Sequence, residues 1–128
     1  MPGPRPGDLQ LAILEVLWEH GEATASQVHE ALSDRGLAPT TIATMLRKMD
    51  ARDLVEHRRE GRALVYAASV EQDEVRRSMV GDVVERLFDG EAHGLVHHLV
   101  DEGEIDLEEL DRLRAQVAAA RARKGRKS

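Results

Sequence analysis

Residues 38–68, APTTIATMLRKMDARDLVEHRREGRALVYAA, carry the clearest structural pattern of the chain. Pro39 is a favoured first residue of a helix, and the apolar residues after it recur at helical spacing. Residues 54–59 and 63–68 have the pattern of two strands, with Glu60-Gly61 as the turn between them. The segment therefore predicts a helix followed directly by a β-hairpin.

The two faces of this predicted helix differ in chemistry. At 100° per residue, Ile42, Met45, Leu46 and Met49 lie on one side. The opposite side has no acidic residue, and its threonines are poor helix formers that add nothing to a core. An ordinary solvated surface is the alternative, but such surfaces more often carry Glu and Lys. We therefore predict a surface that contacts DNA, formed by Thr40, Thr41, Thr44, Arg47 and Lys48.

The predicted hairpin carries two arginines, Arg59 and Arg62, beside its turn. Taken alone, they are explained by an edge that is kept soluble by charge. Directly after an amphipathic helix, the same hairpin resembles a wing that places both arginines along the DNA backbone or in the minor groove. We predict that Arg59 and Arg62 contact DNA.

The charge of the chain is unevenly distributed. The formal net charge is −6, which argues against DNA binding. However, residues 38–62 hold six Arg or Lys against four acids, whereas residues 69–120 hold five Arg against fourteen acids. A locally basic surface on an acidic body is compatible with DNA binding, because phosphates respond mainly to the nearby face.

Composition excludes several classes of protein. The chain has 128 residues and no cysteine, so it has no disulfide, thiolate metal site or thiol nucleophile. No apolar run approaches 18 residues, and no signal peptide is present, so we expect a cytoplasmic protein without membrane contact. No glycine-rich phosphate loop or nucleophile–histidine pattern stands out. We predict that the chain is not an enzyme and needs no cofactor.

Two helices precede residues 38–68. Residues 8–20 predict a buried first helix, with Asp8 as its cap and Gly21 as its stop. Thr24 and Gln27 fit a capping box at the start of the second helix, which is predicted to end near Gly36.

Three amphipathic helices are predicted after the hairpin, over residues 70–88, over 91–101 and from the cap Asp106 onward. Three such helices in about 50 residues enclose their apolar faces poorly, and two-fold pairing with a second copy is the commonest remedy. We predict a homodimer that pairs through apolar residues of these helices, namely Val83, Leu87, Leu95, Leu99, Leu110, Leu113 and Val117.

The predicted fold class is mostly α with a small β-hairpin, a winged helix-turn-helix followed by a helical dimerisation region. The predicted domains are 8–69 for DNA binding and 70–120 for dimerisation. Residues 1–7 and 121–128 are predicted to be flexible ends.

The order of elements resembles the penicillinase-repressor and methicillin-resistance-repressor family of bacterial transcription factors. The resemblance runs from about Asp8 to Val117 and rests on an ordered set of matches: LEVLW (14–18), TASQVHEAL (24–32), TTIATMLRKM (40–49), GRALVYAA (61–68) and LFDG (87–90).

This resemblance implies a homodimeric repressor that binds a pseudo-palindromic operator with halves similar to TACA and TGTA. It maps the major-groove contacts to the same residues of the third helix, and the wing contacts to Arg59 and Arg62. In antibiotic-sensing members a protease cuts the fifth helix at an Asn-Phe bond, where this chain has His98-Leu99. A regulatory protease therefore stays an open partner. Copper-responsive relatives use a cysteine site, which a chain without cysteine excludes.

Two other functions compete with repression. The first is a metal-sensing regulator on the same scaffold. His93 and His97 stand at i and i+4 on one helical face and could share zinc or copper, with Glu91 or Asp101 as a third ligand. The ordinary explanation is solvated or interface histidines, and we predict no metal site. The second alternative is a winged helix that serves only as a protein-interaction module.

Overall fold

The computed structural model describes residues 3–127, with the side chains of residues 126 and 127 left out of the description. It contains six helices and three strands in these residues, together with a short 3₁₀ turn over Ser33–Arg35. In chain order they are α1 (Asp8–His20), β1 (Ala23–Thr24), α2 (Ala25–Ala31), α3 (Pro39–Ala51), β2 (Val55–Glu60), β3 (Ala63–Ala68), α4 (Gln72–Leu87), α5 (Ala92–Asp101) and α6 (Leu107–Lys127).

The three strands form one antiparallel sheet in the order β1-β3-β2. In the hairpin Val55 pairs with Ala68 and Glu60 with Ala63, so the turn is Gly61-Arg62 and not the predicted Glu60-Gly61. Gly61 has a φ of 63°, a left-handed conformation that glycine adopts without steric cost. The predicted hairpin is confirmed, with its turn one residue later and with Arg62 inside the turn.

The sequence pattern does not predict strand β1. It has two residues, and Ala23 pairs with Tyr66 of β3. A two-residue strand shows no alternation of apolar and polar side chains, and its partner lies more than forty residues away. Its formation therefore depends on tertiary contacts that local pattern does not contain.

The core lies between α1, α2, α3 and the sheet. Ile13, Leu14, Val28, Ile42 and Leu46 are completely buried, each with an exposed fraction of 0%. Burial of one such aliphatic side chain is worth about 1.5–3 kcal/mol relative to exposure. The core therefore fixes the inner face of α3 against the first two helices and leaves its other face outside.

The N-terminal cap was predicted correctly for α2 and wrongly for α1. The predicted end of α2 near Gly36 was also wrong, because the helix ends at Ala31 and Gly36 instead closes the 3₁₀ turn Ser33–Arg35. Thr24 accepts a hydrogen bond from the backbone N–H of Gln27 at 3.2 Å, and the Gln27 side chain accepts one from the Thr24 N–H at 2.9 Å. At α1 the cap is Gly7, whose N–H donates to the Gln10 side chain at 3.0 Å. Asp8 is instead the first helical residue, where it forms an ion pair with Arg35 at 3.1 Å.

The chain divides into two compact units, residues 1–81 and 82–128. The second unit contains the end of α4, then α5 and α6, and Asp106 caps α6 by accepting from the Glu109 N–H at 2.9 Å. None of the residues 82–125 is buried. This unit therefore has no enclosed core of its own in a single chain.

The predicted domain boundary at 69/70 stays a prediction, and so does the flexibility of the ends. In the described part of the N-terminal end Pro6 is buried, and at the other end α6 continues as a helix through Lys127. Residues 1, 2 and 128 of the predicted flexible ends lie outside the described residues. Within the described range no helix is long and apolar enough to cross a membrane.

Candidate nucleic-acid interface

Helix α3 presents the predicted contact residues on the surface. Pro39 is its first residue and Ala38 before it is extended, so the helix begins where the sequence predicted. Ile42, Leu46 and Met49 are buried and hold its inner face. The predicted contact residues are all exposed, namely Thr40, Thr41, Thr44, Arg47 and Lys48.

Helix α2 and its connection to α3 set the position of α3, the helix that carries the predicted DNA contacts. After α2 the chain makes a 3₁₀ turn and reaches Gly36, which has a left-handed φ of 66°. The His29 ring nitrogen Nε2 hydrogen-bonds the Leu37 carbonyl oxygen at 2.8 Å, so the His29 Nε2 carries the proton. This bond ties α2 to the segment that leads into α3.

A shallow crevice of about 310 Å³ lies between the beginnings of α2 and α3. Ser26 and His29 line it on one side, and Thr40 and Ala43 line it on the other. Ser26 and His29 are not among the residues that the sequence predicts to contact DNA. The capping box at Thr24 was the available signal, because it marks the helix start that places Ser26 beside Thr40.

The two adjacent arginines of β2 have different surroundings. The Arg58 guanidinium lies 2.6 Å from a Glu22 carboxylate oxygen and 3.1 Å from one of Glu60. Its hydrogen bond and ion pair with Glu22, supported by Glu60, raise the pKa of Arg58, so it stays charged and engaged with these carboxylates. Arg59 is exposed and makes no ion pair with any residue from 3 to 127.

The other predicted cationic contacts resemble Arg59. Among the described residues Arg47, Lys48 and Arg62 also have no acidic partner within 4.0 Å, and all three are exposed. Arg47 donates only to the Thr44 hydroxyl, at 3.3 Å. Cations without carboxylate partners are available to phosphates or base edges without first breaking an ion pair.

A side-chain bond connects α3 directly to the wing. Nδ1 of His57, in the middle of β2, lies against a carboxylate oxygen of Asp50 in the last turn of α3. The His57 ring also lies 5.9 Å from the ring of Tyr66, its partner across the hairpin. No local sequence pattern predicts this pair, because its formation depends on how the hairpin packs on the helix.

The histidines of α5 do not form a metal site in the described part of the chain. The rings of His93 and His97 lie 6.3 Å apart, edge to face, and Nε2 of His93 lies 3.2 Å from a Glu91 carboxylate oxygen. No set of three His, Cys, Asp or Glu side chains among residues 3–127 is arranged to hold an ion. Asp101, the other candidate ligand, does not complete such a set.

The predicted dimerisation residues are exposed or half-buried within one chain. Val83, Leu87, Leu113 and Val117 are exposed, with Leu87 at 73% and Val117 at 56%. Leu95, Leu99 and Leu110 are half-buried. Val80, Val96, Val100 and Leu107 are exposed too, so large apolar side chains are exposed on all three C-terminal helices.

Comparison with known proteins identifies the family. The penicillinase repressor family model matches residues 6–119. The chain belongs to the penicillinase repressor family. Within this family, it is 36% identical over 124 residues to the transcriptional regulator BlaI of Mycobacterium tuberculosis, covering 94% of this chain and 88% of the relative. It is 24% identical over 111 residues to the penicillinase repressor of Bacillus licheniformis, covering 86% and 87% of the two chains.

A solved structure of the family supports the fold. The solution structure of the DNA-binding domain of the repressor BlaI superposes with a TM-score of 0.50 at 29% identity, covering 56% of this chain and 88% of that one. The predicted fold class, mostly α with a small β-hairpin in a winged helix-turn-helix, is confirmed. Dimerisation by the helices after the hairpin stays a prediction.

Proposed function

We propose that this member of the penicillinase repressor family represses transcription by binding a specific DNA operator as a homodimer, and that it is not an enzyme. The observation that supports this most is the set of exposed threonines and unpaired cations on α3 and the hairpin that follows it. In winged helix-turn-helix proteins these two elements face the same stretch of duplex. Such a repressor acts where the bacterial chromosome lies, in the cytoplasm.

The residues of α3 divide by the contacts that their chemistry allows. In the major groove an arginine can donate two hydrogen bonds to guanine O6 and N7, and a threonine can contact a thymine methyl group or a phosphate. We assign base contact to Arg47, and backbone or base-edge contact to Thr40, Thr41 and Thr44. Lys48 is a point charge suited to phosphate.

The wing supplies contacts outside the major groove. Arg59 lies near the end of β2 and Arg62 lies in the turn, so both are close to the tip of the hairpin. Arginine is suited to phosphates and to the narrow minor groove because its guanidinium is planar and always charged. We assign Arg59 and Arg62 to the backbone or minor groove beside the half-site.

Dimerisation is supported by the second compact unit. Its helices bury no residue in the described range 82–125, and many of their large apolar side chains are exposed. A face lined by Leu113 and Val117 runs along α6. A second copy would cover such faces, and a two-fold symmetric protein binds a DNA sequence with two related halves.

The dimer is tested by Val117→Asp, with Ala115→Asp as its matched control. Ala115 is exposed, and it lies about 200° from Val117 around the helix. We expect sedimentation equilibrium to give a dimer for the parent and the control, and a weakened dimer for Val117→Asp. A monomeric parent protein at micromolar concentration would contradict the assignment.

DNA binding is tested by fluorescence anisotropy with random duplexes at two salt concentrations. We expect salt-sensitive binding that is weakened in a folded Arg47→Ala, Arg62→Ala double variant. Intact affinity in that variant would contradict the interface. Binding that is absent from the parent at both salt concentrations would favour the protein-interaction module.

We assign no regulatory protease to this chain. The His98-Leu99 pair lies inside α5, where Leu99 is half-buried. Cleavage there would require local unfolding of the helix before a protease could reach the bond.

A further inference from the structure

The bond between Asp50 and His57 is placed where it can control the interface. A carboxylate only accepts hydrogen bonds, so the His57 Nδ1–H donates and the Asp50 carboxylate accepts. The Asp50 side chain is about one third exposed, and that of His57 is 45% exposed. The bond joins the last turn of α3 to the middle of β2.

The connection that this bond closes contains a strained residue. Asp53 has a φ of 61°, in the left-handed region that side chains other than glycine seldom adopt. Around it the Leu54 N–H donates to the Met49 carbonyl oxygen at 2.9 Å. A conformation of this kind persists where the surrounding contacts hold it. The Asp50–His57 bond joins residues on either side of Asp53, so it is one of the contacts that surround this conformation.

The direction of β2 after His57 determines where the wing arginines lie. Arg59 is two residues beyond His57, so the two side chains leave the same face of the strand. Arg62 follows in the turn. A rotation of the strand at His57 would therefore move both arginines away from the phosphates beside the half-site that α3 contacts.

The negative charge of Asp50 does not by itself favour DNA binding. Asp50 lies about 60° from Arg47 around α3, close to the surface assigned to DNA. A carboxylate near phosphates opposes binding, since like charges repel. Its presence is explained if the hydrogen bond that it accepts contributes more to binding than its charge removes.

We propose that Asp50 and His57 form a positioning pair that fixes the wing relative to α3 and thereby raises operator affinity. The inference rests on the proposed function, because it requires the wing and the helix to contact one DNA. Neither residue is assigned a contact with DNA. The pair acts through Arg59 and Arg62.

The test compares Asp50→Ala with Asp50→Asn. Both remove the negative charge, but asparagine keeps a carbonyl oxygen that accepts the His57 Nδ1–H. We expect Asp50→Asn to bind the operator as tightly as the parent or more tightly, and Asp50→Ala to bind about tenfold more weakly, as expected for loss of one hydrogen bond with a charged acceptor. If Asp50 affected binding only by repelling the DNA phosphates, both variants would bind more tightly than the parent by the same factor.

A second comparison is made at His57. His57→Asn keeps a donor, whereas His57→Phe keeps a ring against Tyr66 without one. We expect His57→Phe to weaken binding about tenfold and His57→Asn to recover most of the loss. The Asp50→Ala, His57→Phe double variant should be no weaker than the weaker single variant, because both changes remove the same bond.

The dependence of affinity on salt separates positioning from direct contact. If His57 only positions the wing, His57→Asn keeps the parent's salt slope, whereas loss of a phosphate contact lowers the slope by about 0.9 for each site. Equal affinity for Asp50→Ala and Asp50→Asn, or additive losses in the double variant, would overturn the inference. A parent protein without salt-sensitive binding would overturn the proposed function itself. The two failures are therefore distinguishable.

Discussion

Replacement of Arg59 by alanine should change the salt dependence of operator binding by a calculable amount. Arg59 is exposed and has no acidic partner in the described residues, so its full charge is available to phosphate. The logarithm of the association constant falls with the logarithm of salt by about 0.9 for each neutralised phosphate. A dimer loses two such contacts, and the slope should become shallower by about 1.8.

This change is large enough to measure by anisotropy titration. Between about 50 and 200 mM salt the parent should lose roughly twelvefold more affinity than Arg59→Ala, since a fourfold change in salt is raised to a power of about 1.8. The operator duplex, temperature and pH are kept constant. A melting curve checks that the variant is folded.

The matched control is the neighbouring residue, Arg58→Ala. Arg58 is held by Glu22 at 2.6 Å and by Glu60 at 3.1 Å, so it already has carboxylate partners and should neutralise no phosphate. We expect the parent's slope for this variant. Equal slope changes at both positions, or a larger one at Arg58, would refute the assignment of free and engaged arginines.

Three further changes test the stability of the fold. Leu46→Ala removes a completely buried side chain of α3. It should lower the free energy of unfolding by about 2–5 kcal/mol in urea titrations, and a loss below about 1 kcal/mol would mean that α3 is not packed as described. Thr24→Ala removes the α2 cap and should cost about 1 kcal/mol by the same assay, whereas an unchanged midpoint would contradict the capping box. Gly81→Ala adds a methyl group with no atom within 4 Å inside α4 and should raise stability by about 0.4–1 kcal/mol; destabilisation would show that the helix at this point needs glycine.

Local chemistry made the helices and the hairpin predictable. Pro39 marks the start of α3, and the spacing of Ile42, Leu46 and Met49 identifies its buried face. Thr24 and Gln27 satisfy each other within four residues. The information for such elements lies inside a short window, because the groups that interact are close in the sequence.

Contacts between distant residues were not predictable in the same way. Arg58 and Arg59 are adjacent and chemically identical, but only Arg58 is engaged by carboxylates of the described residues, that of the nearby Glu60 and that of Glu22, 36 residues away. The pairing of Ala23 with Tyr66 and the bond between Asp50 and His57 depend in the same way on packing. The sequence therefore predicts the residues of the candidate interface, but it does not show which of the arginine and lysine side chains have acidic partners.

Recognition of a specific DNA sequence by α3 and the wing is tested by selection of bound duplexes from a random library. We expect the parent protein to enrich one motif with two related halves, and Arg47→Ala to relax the preference at a defined base pair in each half. Selection that enriches no motif with the folded parent, or the same motif at the same stringency with Arg47→Ala, would contradict it.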